Sequence, residues 1–103
     1  MKTLRERAFD ILRKRGFSPF EITAYREVSS IPWGQTKSYK WVARRLKSPQ
    51  SQRAVGQALK RNPFPFIIPC HRVIRQDGNL GGFSCGRHLK KRLLELEKAD
   101  ILL

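Results

Sequence analysis

Cys70 and His71 stand side by side in Pro69-Cys70-His71-Arg72-Val73, a thiol next to an imidazole behind a proline. A thiol attacks as thiolate, and its ordinary pKa of about 8.5 reaches the working range only beside a base or a cation. His71 can be that base. Neighbours on an extended chain point to opposite sides, so the pair needs a local turn or a bridging water, and Pro69 makes a turn natural there. The chemistry expected is nucleophilic attack by Cys70. Its setting is read from charge: 22 Lys and Arg against 8 Asp and Glu give +14 over 103 residues, with a sequence pI near 11. Such a field attracts polyanions with salt-dependent affinity, and it favours nucleic-acid binding over a merely solvated cationic surface.

The elements that must hold this pair fit one domain of modest core. No apolar run reaches the roughly 18 residues of a membrane span, and the N-terminus lacks the apolar core of a signal peptide, so a cytoplasmic location is expected, nuclear in a eukaryotic source. Two cysteines, Cys70 and Cys85, are too few for a disulfide framework and are not spaced as a zinc site. Both are expected as free thiols, with no metal.

Leu4, Ala8, Ile11 and Leu12 recur at helical spacing, and Gly16 stops that helix. Ser18 then caps a second helix to about Ser29, with Pro19 in its first turn and Glu21 completing a capping box; Phe20, Ala24, Tyr25 and Val28 face inward. Pro32-Trp33-Gly34 ends it in a loop. Ser38 caps a third helix through Leu46, burying Trp41, Val42 and Leu46, and Ser48-Pro49 announces a fourth from about Gln50 to Lys60. The tight junction predicts a helix-turn-helix.

Within the fourth helix Gly56 costs about 1 kcal/mol relative to Ala. A small-residue face of Ala54, Gly56 and Ala58, flanked by Arg53, Lys60 and Arg61, would let the backbone approach a sugar-phosphate wall. The proline-punctuated stretch Asn62 to Pro69 cannot be helical and is expected to be buried and rigid, presenting Cys70. Val73-Ile74-Arg75, Asp77-Gly78 and Leu80 predict a short hairpin, and Gly81 to Gly86 a loop. Arg87 to about Glu97 is a last helix with Leu89, Leu93, Leu94 and Leu96 inward. The fold class expected is mainly α, a winged helix-turn-helix-like domain with a short β-hairpin: residues 1–17 as an N-terminal helical extension, 18–103 as the domain.

These residues resemble the O6-alkylguanine-DNA alkyltransferase family. Pro69-Cys70-His71-Arg72-Val73 matches its active-site signature, and Tyr39 after Ser38, Arg53-Ala54-Val55-Gly56, Asn62-Pro63, Gly81-Gly82-Phe83-Ser84 and Glu97 stand at its spacing, over roughly residues 18 to 97. The resemblance implies a methylated-DNA-[protein]-cysteine S-methyltransferase. It moves the alkyl group of O6-alkylguanine in double-stranded DNA irreversibly to Cys70, in a single turnover and without cofactor or metal. It implies His71 as the base, acting through a water, Glu97 as the group fixing the imidazole tautomer, and Tyr39 as proton donor to the leaving guanine. Ser84, Phe83, Asn62 and Tyr39 would form the base pocket. The target nucleotide would be extruded from the duplex, with the helix-turn-helix in the minor groove, Arg53 filling the vacated stack, and Ala54, Gly56, Tyr39, Lys60 and Arg61 against the DNA. A monomer with no membrane partner is expected.

The sequence departs from the family in three places. Where most relatives have a separate N-terminal domain, residues 1–17 are expected to offer at most one helix, Phe83 replaces a frequent tyrosine, and Cys85 replaces a usual glycine; Cys85 is expected not to be an acceptor. Taken singly, Tyr39, Arg53, Asn62, Ser84 and Glu97 read as ordinary surface, turn or capping residues, and only their joint spacing around Cys70 singles them out. Alkyltransferase-like proteins bind the same lesions without repair, typically with tryptophan at the acceptor position, so Cys70 favours the enzyme. A plain winged-helix transcription factor would leave Cys70, His71 and Glu97 without a task. A cysteine hydrolase would need an oxyanion hole and an acyl substrate, which the net charge disfavours.

Overall fold

Helices begin where the sequence supplies caps. Thr3 accepts from the Glu6 amide at 3.1 Å and starts α1, Leu4–Lys14. Ser18 and Glu21 exchange bonds of 3.1 and 3.0 Å as a capping box before α2, Pro19–Ser29, an arrangement worth about 1 kcal/mol. Ser38 accepts from the Trp41 amide at 2.9 Å to start α3, Tyr39–Arg45. Then come α4, Gln52–Lys60, and α5, Arg87–Leu102. This computed structural model describes residues 1–75 and 87–102, with the side chains of α5 from 89 to 98.

Two helices end in the same way on different residues. Gly16 at φ +82° closes α1, with Gly16 and Phe17 amides donating to Arg13 and Leu12 carbonyls. Lys47 at φ +57° closes α3, with Lys47 and Ser48 amides donating to Arg44 and Ala43. Both are left-handed terminations of the Schellman type, which glycine adopts without penalty and lysine does not. Ser48 is therefore the end of α3 rather than the announcement of α4. Ser48 and Ser51 bond to each other through their hydroxyls, and α4 starts after Ser51, later than the sequence predicts.

The core forms where α2, α3 and α4 meet. Tyr25, Val28, Val42, Ala43, Val55 and Leu59 pack there, with Ile68 and Val73 from the segment beyond. The Tyr25 hydroxyl crosses from α2 to donate to the Ala58 carbonyl at 2.6 Å. From α1 come Phe9 and Leu12, whereas Leu4 and Ile11, at helical spacing with Ala8 and Leu12, are exposed. Ile11 lies about 100° around the helix from Leu12, and α1 packs on α2 alone among the helices it meets most. In α5, Leu89 and Leu93 pack on the core but Leu96 is exposed, because the inner stripe runs through Lys90, Leu93 and Glu97.

The architecture is mainly α with a helix-turn-helix, as the sequence predicts; the sheet differs. Strand β1, Lys37–Ser38, pairs in parallel with β2, Val73–Ile74, in the register Lys37 to Val73 and Ser38 to Ile74. A parallel pair needs a long crossover, here α3 and α4. Val73-Ile74 thus joins a strand ahead of α3. The predicted return through Asp77-Gly78 and Leu80, and the loop Gly81 to Gly86, lie outside the described residues.

Candidate active site and groove

Cys70, His71 and Arg72 form one turn of 3-10 helix directly after Pro69. With three residues per turn, successive side chains fan out about 120° apart, so Cys70 and His71 diverge without pointing opposite ways as they would on a strand. The Cys70 amide donates to Ile68 at 2.7 Å and the Arg72 amide to Pro69 at 3.0 Å. Asn62 holds the approach to this turn. Its Nδ2 donates to the Ile68 carbonyl at 2.9 Å and its Oδ1 accepts from the Phe64 amide at 2.9 Å. A buried amide engaged at both ends is a staple, and its placement differs from the pocket wall the resemblance implies. The stretch it staples is buried at its ends, at Asn62, Ile68 and Pro69, while Phe66 between them is exposed, so the expectation of a wholly buried segment is corrected.

The site is buried: Cys70 is 2%, His71 3% and Glu97 2% exposed. His71 Nε2 is hydrogen-bonded to Glu97 Oε2. Glu97 also accepts from Arg72 Nε at 2.9 Å and from the Gly34 amide at 3.3 Å, both at Oε1, while an Arg72 terminal nitrogen reaches Oε2 at 3.3 Å. The other Arg72 terminal nitrogen donates to the Ile31 carbonyl at 2.9 Å, and the guanidinium lies 5.4 Å from the Trp33 ring centroid. Gly34 offers its amide because Pro32 to Gln35 form a turn closed by a 3.1 Å bond, with Gly34 at φ +82°. Four donors from two segments, the Cys70–Arg72 turn and the Pro32 to Gln35 turn, thus converge on one carboxylate.

Burial pushes the pKa of Glu97 up, yet the hydrogen bonds from Arg72 and His71 outweigh it and hold the carboxyl below its ordinary 4.5. Burial lowers the pKa of His71 beneath 6.5, against the pull of Glu97 and with the help of Arg72 and Lys90. The resting pair at neutral pH is carboxylate and neutral imidazole. An ionised carboxylate only accepts, so Nε2 carries the proton and Nδ1 is the basic nitrogen.

Tyr39, at the start of α3, lies on the other side of the site. A Cβ on Gly56 would sit 3.9 Å from Tyr39 Cε1, so α4 passes close over the ring. Burial raises the Tyr39 pKa, charge on Cys70 raises it further, and Arg75 opposes both. An open groove of about 550 Å³ runs over this place, lined by Tyr39, Gln52, Arg53, Gly56, Gln57, Lys60 and Arg75. A second cleft of about 460 Å³ between α1 and α2 mixes acidic and basic side chains, and its lining holds neither cysteine nor histidine.

The structure brings Cys70, His71 and Glu97 together, and separately gathers Tyr39, Arg53, Gly56 and Lys60 along the groove. It does not gather Arg61, which turns to α2 with a 2.7 Å bond to Glu21 and stacks on Phe17 at 4.9 Å. The small-residue face is split: Ala54 is exposed, Gly56 faces the groove and Ala58 is in the core. Positions two apart are about 200° apart on a helix and cannot share a face. Ser84, Phe83 and Cys85 lie outside the described residues. Missing from the sequence reading were Arg72, Gly34, Gln57, Arg75 and Lys90. Lys90 was masked by its basic neighbours, although its spacing of two helical turns from Glu97 was a usable signal.

Comparison with known proteins follows the same lines. A methylated-DNA--protein-cysteine methyltransferase of Saccharolobus islandicus is 51% identical over 83 residues, covering 81% of this chain and 53% of its own, and the chain spans about half the length of the curated relatives it matches. A Mycobacterium tuberculosis OGT solved in complex with DNA superposes with a TM-score of 0.78 at 41% identity, covering 80% of this chain and 51% of that one. Atl1 of S. pombe, solved with damaged DNA containing O6-carboxymethylguanine, gives 0.69 at 35% identity, covering 76% and 74%. Residues 19–99 match the model described as 6-O-methylguanine DNA methyltransferase, DNA binding domain, and by that match the chain belongs to this family.

Proposed function

We propose that the chain repairs O6-alkylguanine in double-stranded DNA by taking the alkyl group onto Cys70. The observation that supports this most is the buried Cys70-His71 turn backed by a carboxylate with four converging donors, next to a basic groove floored by Tyr39. Such a constellation is that of an activated nucleophile, base and orienting acid. The Cys70 proton passes through a water to His71 Nδ1. Sulfur then attacks the saturated carbon, the S–C bond forms as the C–O bond breaks, and guanine leaves with the electron pair on oxygen. Tyr39 supplies the proton that offsets this charge. The thioether product is not hydrolysed, so each molecule acts once, as a monomer and with no cofactor.

Reaching the carbon requires the nucleotide to leave the stack, at a few kcal/mol. The groove cations Arg53, Lys60 and Arg75 supply the phosphate attraction. Likeness to Atl1 supports a second reading, a lesion sensor without transfer. Intact-mass spectrometry after mixing with a duplex carrying O6-methylguanine separates the two. One methyl added at Cys70 by peptide mapping, and none in Cys70→Ser, is the expected result; tight lesion binding with unmodified protein would establish the sensor.

A further inference from the structure

Trp33 is large and apolar, and 47% of it is exposed, so core filling accounts for only part of its presence. What it meets is Arg72, whose guanidinium carbon lies 5.4 Å from the ring centroid, within cation–π reach. The hydrogen bonds of Arg72 all run along the edge of its planar fork: Nε to Glu97 Oε1 at 2.9 Å, one terminal nitrogen to Glu97 Oε2 at 3.3 Å, the other to the Ile31 carbonyl at 2.9 Å. Edge bonds fix the fork within its plane and leave its faces open, and an aromatic ring on one face resists a swing out of that plane. Ring and partners come from one stretch of chain. Ile31, Trp33 and Gly34 give a carbonyl, an indole and an amide to the Arg72–Glu97 pair, and the turn that carries the last two is closed by the 3.1 Å bond from Gln35 to Pro32.

We propose that Trp33 is a positioning residue of the alkyl transfer, its ring holding the Arg72 guanidinium flat against Glu97 so that the carboxylate is shared between Arg72 and His71. The inference rests on Cys70 acting as the nucleophile with His71 as its base. Glu97 Oε2 faces both His71 Nε2 and an Arg72 nitrogen, so the two compete for one charge. With Arg72 in place, its positive charge offsets Glu97 and disfavours a second proton on the imidazole, and His71 waits as the neutral base. Without the ring, Arg72 turns out toward water, Glu97 is left to His71 alone, and the imidazole takes its proton from solvent instead of from Cys70. The other charged and titratable groups around His71 are Lys90 of α5, which also disfavours its protonation, and the Cys70 thiol on its own turn; Tyr25 of α2 and Tyr39 of α3 act on Cys70, their phenols kept neutral by burial. A change at Trp33 reaches His71 through Arg72.

The test is the titration of His71, read by NMR on its ring proton and assigned by the loss of that signal in His71→Gln. In Trp33→Leu and Trp33→Gln the midpoint is expected to rise by about half a unit or more, a roughly threefold gain of imidazolium, with a smaller rise in Trp33→Phe, whose ring face attracts a cation less strongly. The acidic limb of single-turnover methyl transfer at saturating DNA is expected to move up by the same amount, a loss of about threefold on that limb that disappears at about pH 8. A merely structural defect would lower the rate at every pH. An unchanged His71 midpoint in folded Trp33→Leu or Trp33→Gln would overturn the proposal. If neither ring-less variant folds, Trp33→Phe decides, an intermediate rise supporting the proposal and a wild-type midpoint overturning it. The titration uses no DNA. A chain that proved to be a sensor would still show the shift, and an absent shift would leave methyl transfer to Cys70 standing.

Discussion

The corner around Glu97 and the groove along α4 both concentrate charge, and they do so in opposite ways. In the corner Glu97, His71 and Lys90 are buried, and the donors around Glu97 are fixed by the Cys70–Arg72 turn and by the Gly34 amide of a second turn. In the groove Arg53, Lys60 and Arg75 are exposed on an open surface. Buried charges with fixed partners keep their geometry and are little affected by salt, but losing one partner is costly. Exposed cations cost little to remove and act at a distance, and ions screen them. The proposed function thus divides bond-making and DNA attraction between two dielectric environments a few residues apart.

The largest effect is expected from Glu97→Gln, which strikes the corner. The side-chain oxygen stays with Arg72 and Gly34, so the new amide faces His71 Nε2 as a donor and forces the ring proton onto Nδ1. The basic lone pair is then lost where the thiol proton must go. Methyl transfer is expected to slow by about 100-fold or more, and stability to fall by about 3 kcal/mol because Arg72 loses its counter-charge. Single-turnover kinetics and denaturant unfolding measure the two. The same corner predicts an acid-labile fold. Both folded pKa values are depressed, so the stabilisation is complete above pH 6.5 and shrinks below it as His71 must charge, then shrinks again below 4.5 as Glu97 protonates. Thermal unfolding against pH is expected to show both stages in wild type and only the upper one in Glu97→Gln.

A smaller effect, of the opposite character, is expected in the groove. Arg53→Ala and Lys60→Ala should each lower DNA affinity by about tenfold or less, reduce the slope of log affinity against log salt by about one, and leave unfolding midpoints nearly unchanged. A loss independent of salt would place these side chains in the same class as the corner and end the distinction. The smallest effect tests neither region directly. Lys47→Gly relieves a left-handed lysine at the end of α3 and should stabilise the fold by about 0.5–1 kcal/mol. Chemical denaturation checks it.

What could be read from the chain follows the same division. Ser18 with Glu21, Ser38 before Tyr39, and Gly16 after α1 are local signals, and the structure has those caps and that stop. The helix-turn-helix was legible because its helices bury periodic apolar residues. Burial of a charge is not local. Lys90 sits in the run Arg87 to Arg92 and Arg72 ends the Cys70 turn, so composition alone tells neither core cation from a solvated one, and only the spacing of Lys90 from Glu97 hints at a shared helix face. Arg61 misled for the converse reason, since Glu21 is forty positions away. The strand pairing was illegible too: two residues each, with a partner supplied from before α3.

That two-residue pairing also orders the folding of the molecule. Lys37 meets Val73 only after the chain between them has closed as a loop, whereas α3 and α4 assemble from neighbours in sequence. Loop closure is an entropic cost that local contacts avoid. The helix hairpin is therefore the early structure and the strand pair a late one, with the His71 to Glu97 contact later still because α5 must dock. Until then the His71–Glu97 pair that the proposed function makes the base for Cys70 does not exist. If Cys70 acts as proposed, its reactivity is itself a report that folding is complete.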